Sequence, residues 1–233
     1  MGVKDNILTI QQEISSLCAT IGRKPSEITL LAVIKEAEVE QIKEAIDAGI
    51  VDLGENRVQE GIRKYNAIRM THDAGRIKWH MIGHLQTNKV KDAVKIFDLI
   101  HSVDSLYLAQ ELDKQAKKIN KIQDILVEVN TSGEKTKFGL KPDETIEVIK
   151  KVTELKNIRI NGLMIVAPLS ANPEEVRPYF RLLRELRDKI IIQFGFRNSD
   201  FGILSMGMSQ DYRVAIEEGA TIVRIGSAIF KTA

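Results

Sequence analysis

The sequence predicts an α/β fold, a (β/α)8 TIM barrel preceded by one extra helix, and three observations carry that expectation. Eight short runs of apolar and β-branched residues recur along the 233 residues. Helical patterns with their own start and stop signals separate these runs, and no linker, low-complexity segment or charge block interrupts the alternation. Strands that alternate with helices imply parallel pairing, because each crossover needs a covering helix. Eight such units in a chain of this length suggest a closed barrel, with a doubly wound open sheet as the competing architecture.

The extra helix comes first. In "NILTIQQEISSLCATIG" and the residues before it, Val3, Ile7, Ile10, Ile14, Leu17 and Ile21 recur every three or four positions, so Cys18 reads as a small packed residue of an amphipathic helix. The strand-like runs are "ITLLAVIK" (28–35), "VDLGEN" (51–56), "IKWHMIG" (77–83), "FDLIHSV" (97–103), "DILVEVN" (124–130), "IRINGLMIV" (158–166), "FGILSMG" (201–207) and "TIVRIGSAIF" (221–230). Between them, "EVEQIKEAIDAG" buries Val39, Ile42, Ala45 and Ile46 on one face and ends at Gly49. "NPEEVRPYFRLLRELRDKI" begins with Asn172 as cap and Pro173 in the first turn, and carries a stripe of Val176, Tyr179, Phe180, Leu183, Leu186 and Ile190. "SQDYRVAIEEG" offers Ser209 as a cap and Gly219 as a stop. One domain over residues 1–233 is expected, with the N-terminal helix in 1–24 and the barrel over 28–230.

Composition narrows the partners. The chain has 34 basic and 32 acidic residues, a balance that implies neither nucleic acid nor an anionic membrane surface. The one cysteine excludes an intrachain disulfide and fits a reducing compartment. No stretch is long and apolar enough to span a bilayer, and the amino terminus has no secretory apolar segment. A cytoplasmic protein is expected.

In a barrel of this kind, chemistry belongs at the C-terminal ends of the strands and in the loops after them. Those places hold Lys35, "GENR" (54–57), "HMIGHLQTNK" (80–89), "SMGMSQD" (205–211) and "VRIGS" (223–227). The loops after strands seven and eight are the usual phosphate cradle of the architecture, and both supply glycine and serine here. Lys35 ends a buried parallel strand facing the same mouth, where desolvation and a nearby cation would turn an amine into a Schiff-base nucleophile. Lysine and phosphate cradle together suggest a Schiff-base aldolase acting on a phosphorylated sugar, or a lysine that holds pyridoxal 5′-phosphate (PLP). Arg224 lies inside an apolar strand and needs a partner, either an acid such as Glu128 or Glu55 or a ring nitrogen at which its planar group is aimed.

Taken in order, "LLAVIK", "GENRVQE", "WHMIGHLQTNK", "GLM" and "FGILSMGMSQDYRVAIEEGATIVRIGSAIF" resemble the pyridoxal phosphate homeostasis protein family, whose members are single-domain relatives of the N-terminal barrel of alanine racemase. The match runs from about residue 28 to 230. The resemblance implies that Lys35 holds PLP as an internal aldimine and that Ser205, with the backbone of Gly226 and Ser227, binds its phosphate. It implies that Arg224 faces the pyridine nitrogen and that Asn56, His80, Met164 and Met206 line the ring pocket. No residue is assigned a catalytic role and no metal is implied. The chain departs from the family pattern at Ile34, at "EAEVE" after the lysine, at His84 and at the terminal "FKTA".

An arginine at the ring nitrogen bears on turnover. PLP stabilises a carbanion best with that nitrogen protonated, whereas a guanidinium donates a hydrogen bond and leaves it unprotonated. The sequence ends about where the barrel ends, so no second domain is expected to add a catalytic tyrosine; Tyr65, Tyr107, Tyr179 and Tyr212 read as helix positions. The first expectation is therefore a PLP carrier or buffer with little or no turnover, which keeps PLP and amino-acid pools in balance and has PLP-dependent apo-enzymes as partners. A racemase-type PLP enzyme is the second and an aldolase the third; a monomer is expected.

Overall fold

The computed structural model of the protein describes residues 2–70, 75–134 and 136–231. Eight strands, β1 (Thr29–Val33), β2 (Asp52–Glu55), β3 (Lys78–Met81), β4 (Leu99–Val103), β5 (Gln123–Glu128), β6 (Ile158–Met164), β7 (Ile203–Ser205) and β8 (Ile222–Ile225), pair in parallel in sequence order. Pairing of β1 with β8, in the register Leu31↔Arg224, closes the barrel that the alternation predicts. The period-2 alternation of each strand then sorts its side chains. Ala32, Leu53, Met81, Ile100, Val127, Leu163, Leu204 and Val223 face outward into one large core shared with the helices. Leu31, Leu99, Leu126, Met164 and Ile222 form a separate apolar layer inside the barrel.

The helices are α1 (Val3–Ile21), α2 (Val39–Asp47), α3 (Val58–Ile68), α4 (Val90–Ile96), α5 (Leu106–Lys118), α6 (Pro142–Val152), α7 (Arg177–Phe194), α8 (Asn198–Phe201), α9 (Tyr212–Glu217) and α10 (Ser227–Phe230). α10 has four residues, too few to cover β8, and α1 packs against α2, α9 and α10 in its place. Of the stripe read from the sequence, Val3, Ile7, Ile10 and Ile14 are buried together with Cys18, while Leu17 and Ile21 are partly buried against the same core. Asn6 Nδ2 donates to Ile229 O at 2.9 Å and ties the two ends of the chain together. Among the described residues no helix is long and apolar enough to cross a membrane.

Several boundaries differ from those the sequence suggests. β1 stops at Val33, so Lys35 lies in the following turn rather than on the strand. The run 221–230 breaks at Gly226 into β8 and α10, and the run 201–207 holds the last residue of α8 and only three strand residues. Two residues past β7, Gly207 adopts φ +92°, where a Cβ would meet Ala215 Cβ at 2.6 Å. Asn172 does cap, accepting from Glu174 N at 3.1 Å, but the first turn is a 3-10 turn, Pro173–Val176, that leads into α7. Ser209 does not cap α9; Asp211 sits there, and its carboxylate accepts from Met208 N at 2.6 Å.

Candidate functional site

The C-terminal strand ends surround a cavity of about 500 Å³. Its polar lining includes Lys35, Asn56, Ser209, Arg224 and Ser227, with the Gly226 backbone beside them, and Val33, Ile82, Val166 and Met208 are among its apolar walls. Five of the nine residues proposed from the sequence are thus brought together: Lys35, Asn56, Arg224, Gly226 and Ser227.

Lys35 and Asn56 are fixed by a buried ion pair that the sequence reading did not anticipate. Glu55 points outward from β2 toward α3, and its Oε2 lies 2.7 Å from Lys64 Nζ, with both side chains almost fully buried. The same ammonium donates to Ile34 O at 2.5 Å, one residue before Lys35. The other carboxylate oxygen of Glu55 accepts from Asn56 N at 2.6 Å. One ion pair therefore clamps the backbone under both mouth residues. Gly83 presses on the same segment, since a Cβ there would stand 2.4 Å from Asn56 O. The Lys35 side chain itself is half exposed and 3.5 Å from Glu36. The desolvated amine expected from a strand position is not what the turn provides; the amine is reachable from solvent.

Arg224 reaches the cavity from inside β8 while being almost wholly buried. Nη1 donates to Ser205 Oγ at 2.7 Å and Nη2 to Ile165 O at 2.8 Å. Burial pulls its pKa down to about 10, and the nearby carboxyls of Glu128 and Asp211 oppose that shift, so it stays a cation at neutral pH. Glu128 answers in kind: burial, then Asp104, raises its pKa to about 7, with Arg224 pulling the other way. Of the two acids considered as direct partners for Arg224, Glu55 belongs to Lys64, and Glu128 acts through its field.

Four sequence-proposed residues do not line the cavity. Ser205 is fully buried inside the barrel, its hydroxyl taken up by Arg224 and by His101 Nδ1 at 2.9 Å. His80 is buried between Asp52 and His101. Met164 belongs to the interior apolar layer, and Met206, next to inward-facing Ser205, falls on the outward face among the helices. Strict alternation along "ILSMG" would have sent Met206 outward. In place of Ser205 the β7–α9 loop presents Ser209, whose Oγ accepts from Ala228 N at 3.3 Å and so bridges the two glycine-serine loops. In the sequence Ser209 reads as a helix cap within a glycine- and serine-bearing loop, a signal that does not separate it from Ser205.

A family model described as the alanine racemase N-terminal domain matches residues 8–233. The chain is 44% identical over 230 residues to the pyridoxal phosphate homeostasis protein of Aquifex aeolicus (strain VF5), covering 99% of this chain and 98% of that one. The chain belongs to the pyridoxal phosphate homeostasis protein family. The family's member from Escherichia coli (strain K12) is 36% identical over 230 residues, covering 98% of this chain and 95% of the other. Among solved structures, PipY of Synechococcus elongatus PCC7942 with PLP bound superposes with a TM-score of 0.81 at 33% identity, over 94% of this chain and 100% of PipY. An alanine racemase from Clostridium difficile 630 shares the fold at a TM-score of 0.73 and 19% identity, and this chain spans 57% of its length.

Proposed function

We propose that the mouth cavity binds PLP and that the protein serves PLP homeostasis, holding the cofactor and passing it on with little or no turnover. The observation that carries this reading is the convergence of an amine, a guanidinium and two hydroxyls on one cavity. Each matches one part of the cofactor. The Lys35 amine suits the aldehyde, Ser209 and Ser227 with the Gly226–Ser227 backbone suit the phosphate, and Arg224 suits the pyridine nitrogen as a donor. Asn56 and the apolar walls would flank the ring. PipY, a third identical, is described with PLP bound, and relatives at 34–44% identity carry the homeostasis name, which supports the same use here.

Bound PLP supplies an electron sink whose strength depends on a protonated ring nitrogen. Arg224 cannot supply that proton at neutral pH and donates a hydrogen bond instead. The site therefore favours retention over carbanion chemistry. A half-exposed Lys35 fits exchange of the cofactor with a recipient, for which PLP-dependent apo-enzymes are the natural class. Cys18, a buried free thiol, fits the reducing cytoplasm, and we place a monomer there.

Purified protein is expected to be yellow and to lose that colour on borohydride treatment, and Lys35→Ala to be colourless; a yellow variant would overturn the lysine assignment. In deuterated water the loaded protein should exchange the α-proton of common amino acids no faster than free PLP. Faster exchange would replace the carrier by a racemase-type enzyme. Transfer of PLP to an apo-enzyme, timed against free diffusion of the cofactor, measures the delivery role directly.

A further inference from the structure

A continuous chain of polar side chains crosses the barrel interior beneath the mouth cavity. At the N-terminal end of the barrel a second cavity of about 500 Å³ is lined by Asp52, Thr29, Gln11 and Ser15 among others. From there Asp52 Oδ1 lies 2.9 Å from His80 Nε2, and His80 Nδ1 lies 2.9 Å from His101 Nε2. His101 Nδ1 lies 2.9 Å from Ser205 Oγ, and Arg224 Nη1 donates to that oxygen at 2.7 Å. Arg224 lines the mouth cavity. Side chains from β2, β3, β4, β7 and β8 thus join the two ends of the barrel. His101 sits where β4 takes an extra residue against β5, Ile100 pairing with Ile125 but Val103 with Val127, the kind of bulge that re-aims a side chain.

The chain has a direction, and both ends choose the same one. A guanidinium only donates, so Ser205 Oγ accepts from Arg224 and has one proton left to give, toward His101 Nδ1. At the other end a carboxylate only accepts, so His80 carries its proton on Nε2. A neutral His80 then offers a bare Nδ1, which the Nε2–H of His101 satisfies. That leaves His101 Nδ1 bare, as Ser205 requires. Burial first of all, with the Arg224 charge acting in the same sense, holds the His101 pKa well below the ordinary histidine range, so this ring stays neutral.

We infer that Asp52, His80, His101 and Ser205 are positioning residues that form a one-way hydrogen-bond relay through the barrel, holding Arg224 in the mouth and linking its ligand to the state of the far end. The link to the cofactor rests on the reading of the mouth as a PLP site. The direction of the relay does not. An imidazolium at His80 would donate from both nitrogens and drive its Nδ1–H against the Nε2–H of His101. His101 would have to move its proton to Nδ1, and Ser205 would have to turn its hydroxyl proton away. The charged and titratable groups that face this chain are Asp52 on β2, His80 on β3, His101 on β4, Glu128 on β5, Asp211 after β7 and Arg224 on β8.

The test reads tautomers directly. Two-bond ¹⁵N–¹H spectra of the cofactor-free protein at neutral pH, assigned with His80→Gln and His101→Gln, should show both rings protonated at Nε2 alone. A proton on either Nδ1 would overturn the relay, whatever the cofactor does. On protein loaded with PLP, Asp52→Leu at the opposite end of the barrel should shift the visible spectrum and its pH midpoint and raise the PLP dissociation constant about tenfold, the effect of loosening one charge-assisted hydrogen bond. Asp52→Asn, whose amide oxygen still accepts, should restore both. An Asp52→Leu protein with the wild-type His101 tautomer, spectrum and pH midpoint would refute the coupling. A wild-type protein that takes up no PLP would refute the mouth reading and leave the tautomer result standing.

Discussion

Lys64 is among the largest side chains with almost no exposure, and it shows how one buried charge is tolerated and used. Its ammonium meets Glu55 and Ile34 O, so neither charge of the pair is left unpaired. Taking away one partner of a buried pair strands the other, which costs about 3–5 kcal/mol. Lys64→Met should lower unfolding free energy in urea by about that amount and weaken PLP binding, because the Lys35 and Asn56 backbones lose their clamp. Glu55→Leu combined with Lys64→Met should recover much of the stability but not the binding. A double variant no more stable than the single would show that packing, not the stranded carboxylate, dominates. The two serines separate similarly. Ser209→Ala should raise the dissociation constant of inorganic phosphate itself about tenfold, the worth of one hydrogen bond to a charged group, while Ser205→Ala, which acts on Arg224, should leave that constant unchanged. The reverse result would return the phosphate to Ser205.

At the level of elements, α1 replaces a missing part of the ring. A four-residue α10 leaves β8 uncovered, and the buried stripe of α1 fills the gap against α2 and α9. Ile7 is fully buried there, so Ile7→Ala should destabilise the whole barrel by about 2–5 kcal/mol in urea denaturation, and as one cooperative transition. Fraying of α1 with the barrel intact would refute its role as a ring member. Periodicity in the sequence was enough to reveal this helix and its buried face, because 3.6-residue repeats survive without tertiary information. The strands were legible as runs, but their ends were not: Ile34 remains apolar and buried after β1 has stopped, so composition carries no mark of the turn that presents Lys35. The sequence also placed Arg224 in the site, since a cation in an apolar strand demands an explanation. His101, Lys64 and Ser209 escaped because each takes a partner from another strand or loop, Ser205 for His101, Ile34 for Lys64 and Ala228 for Ser209, and only the folded barrel brings them together.

For the molecule as a whole, the barrel interior concentrates charge at one end, and that makes stability depend on pH. Glu128 has a folded pKa raised to about 7 against 4.5 for the free side chain, through burial first and Asp104 second. A raised carboxyl pKa means that the folded state binds the proton more tightly than the unfolded chain does. Below pH 4.5 both states hold the proton and the group contributes nothing. Between pH 4.5 and about 7 the unfolded chain ionises first, so stability falls as pH rises, and above 7 the full penalty of about 3 kcal/mol applies. Arg224, also shifted by burial, keeps its charge throughout this window, since its pKa lies near 10. Glu128→Gln keeps the shape and discards the titration. Its unfolding free energy should match wild type near pH 4.5 and exceed it by up to about 3 kcal/mol at pH 8, with the gap opening between the two values. Urea titrations of both proteins at pH 4.5, 6 and 8 decide the matter. A gap that is the same at all three would mean that Glu128 is ionised across the range and that Arg224 neutralises it fully, which would make the mouth an ion-paired site rather than one with a cation held ready for an anionic or nitrogen-bearing ligand.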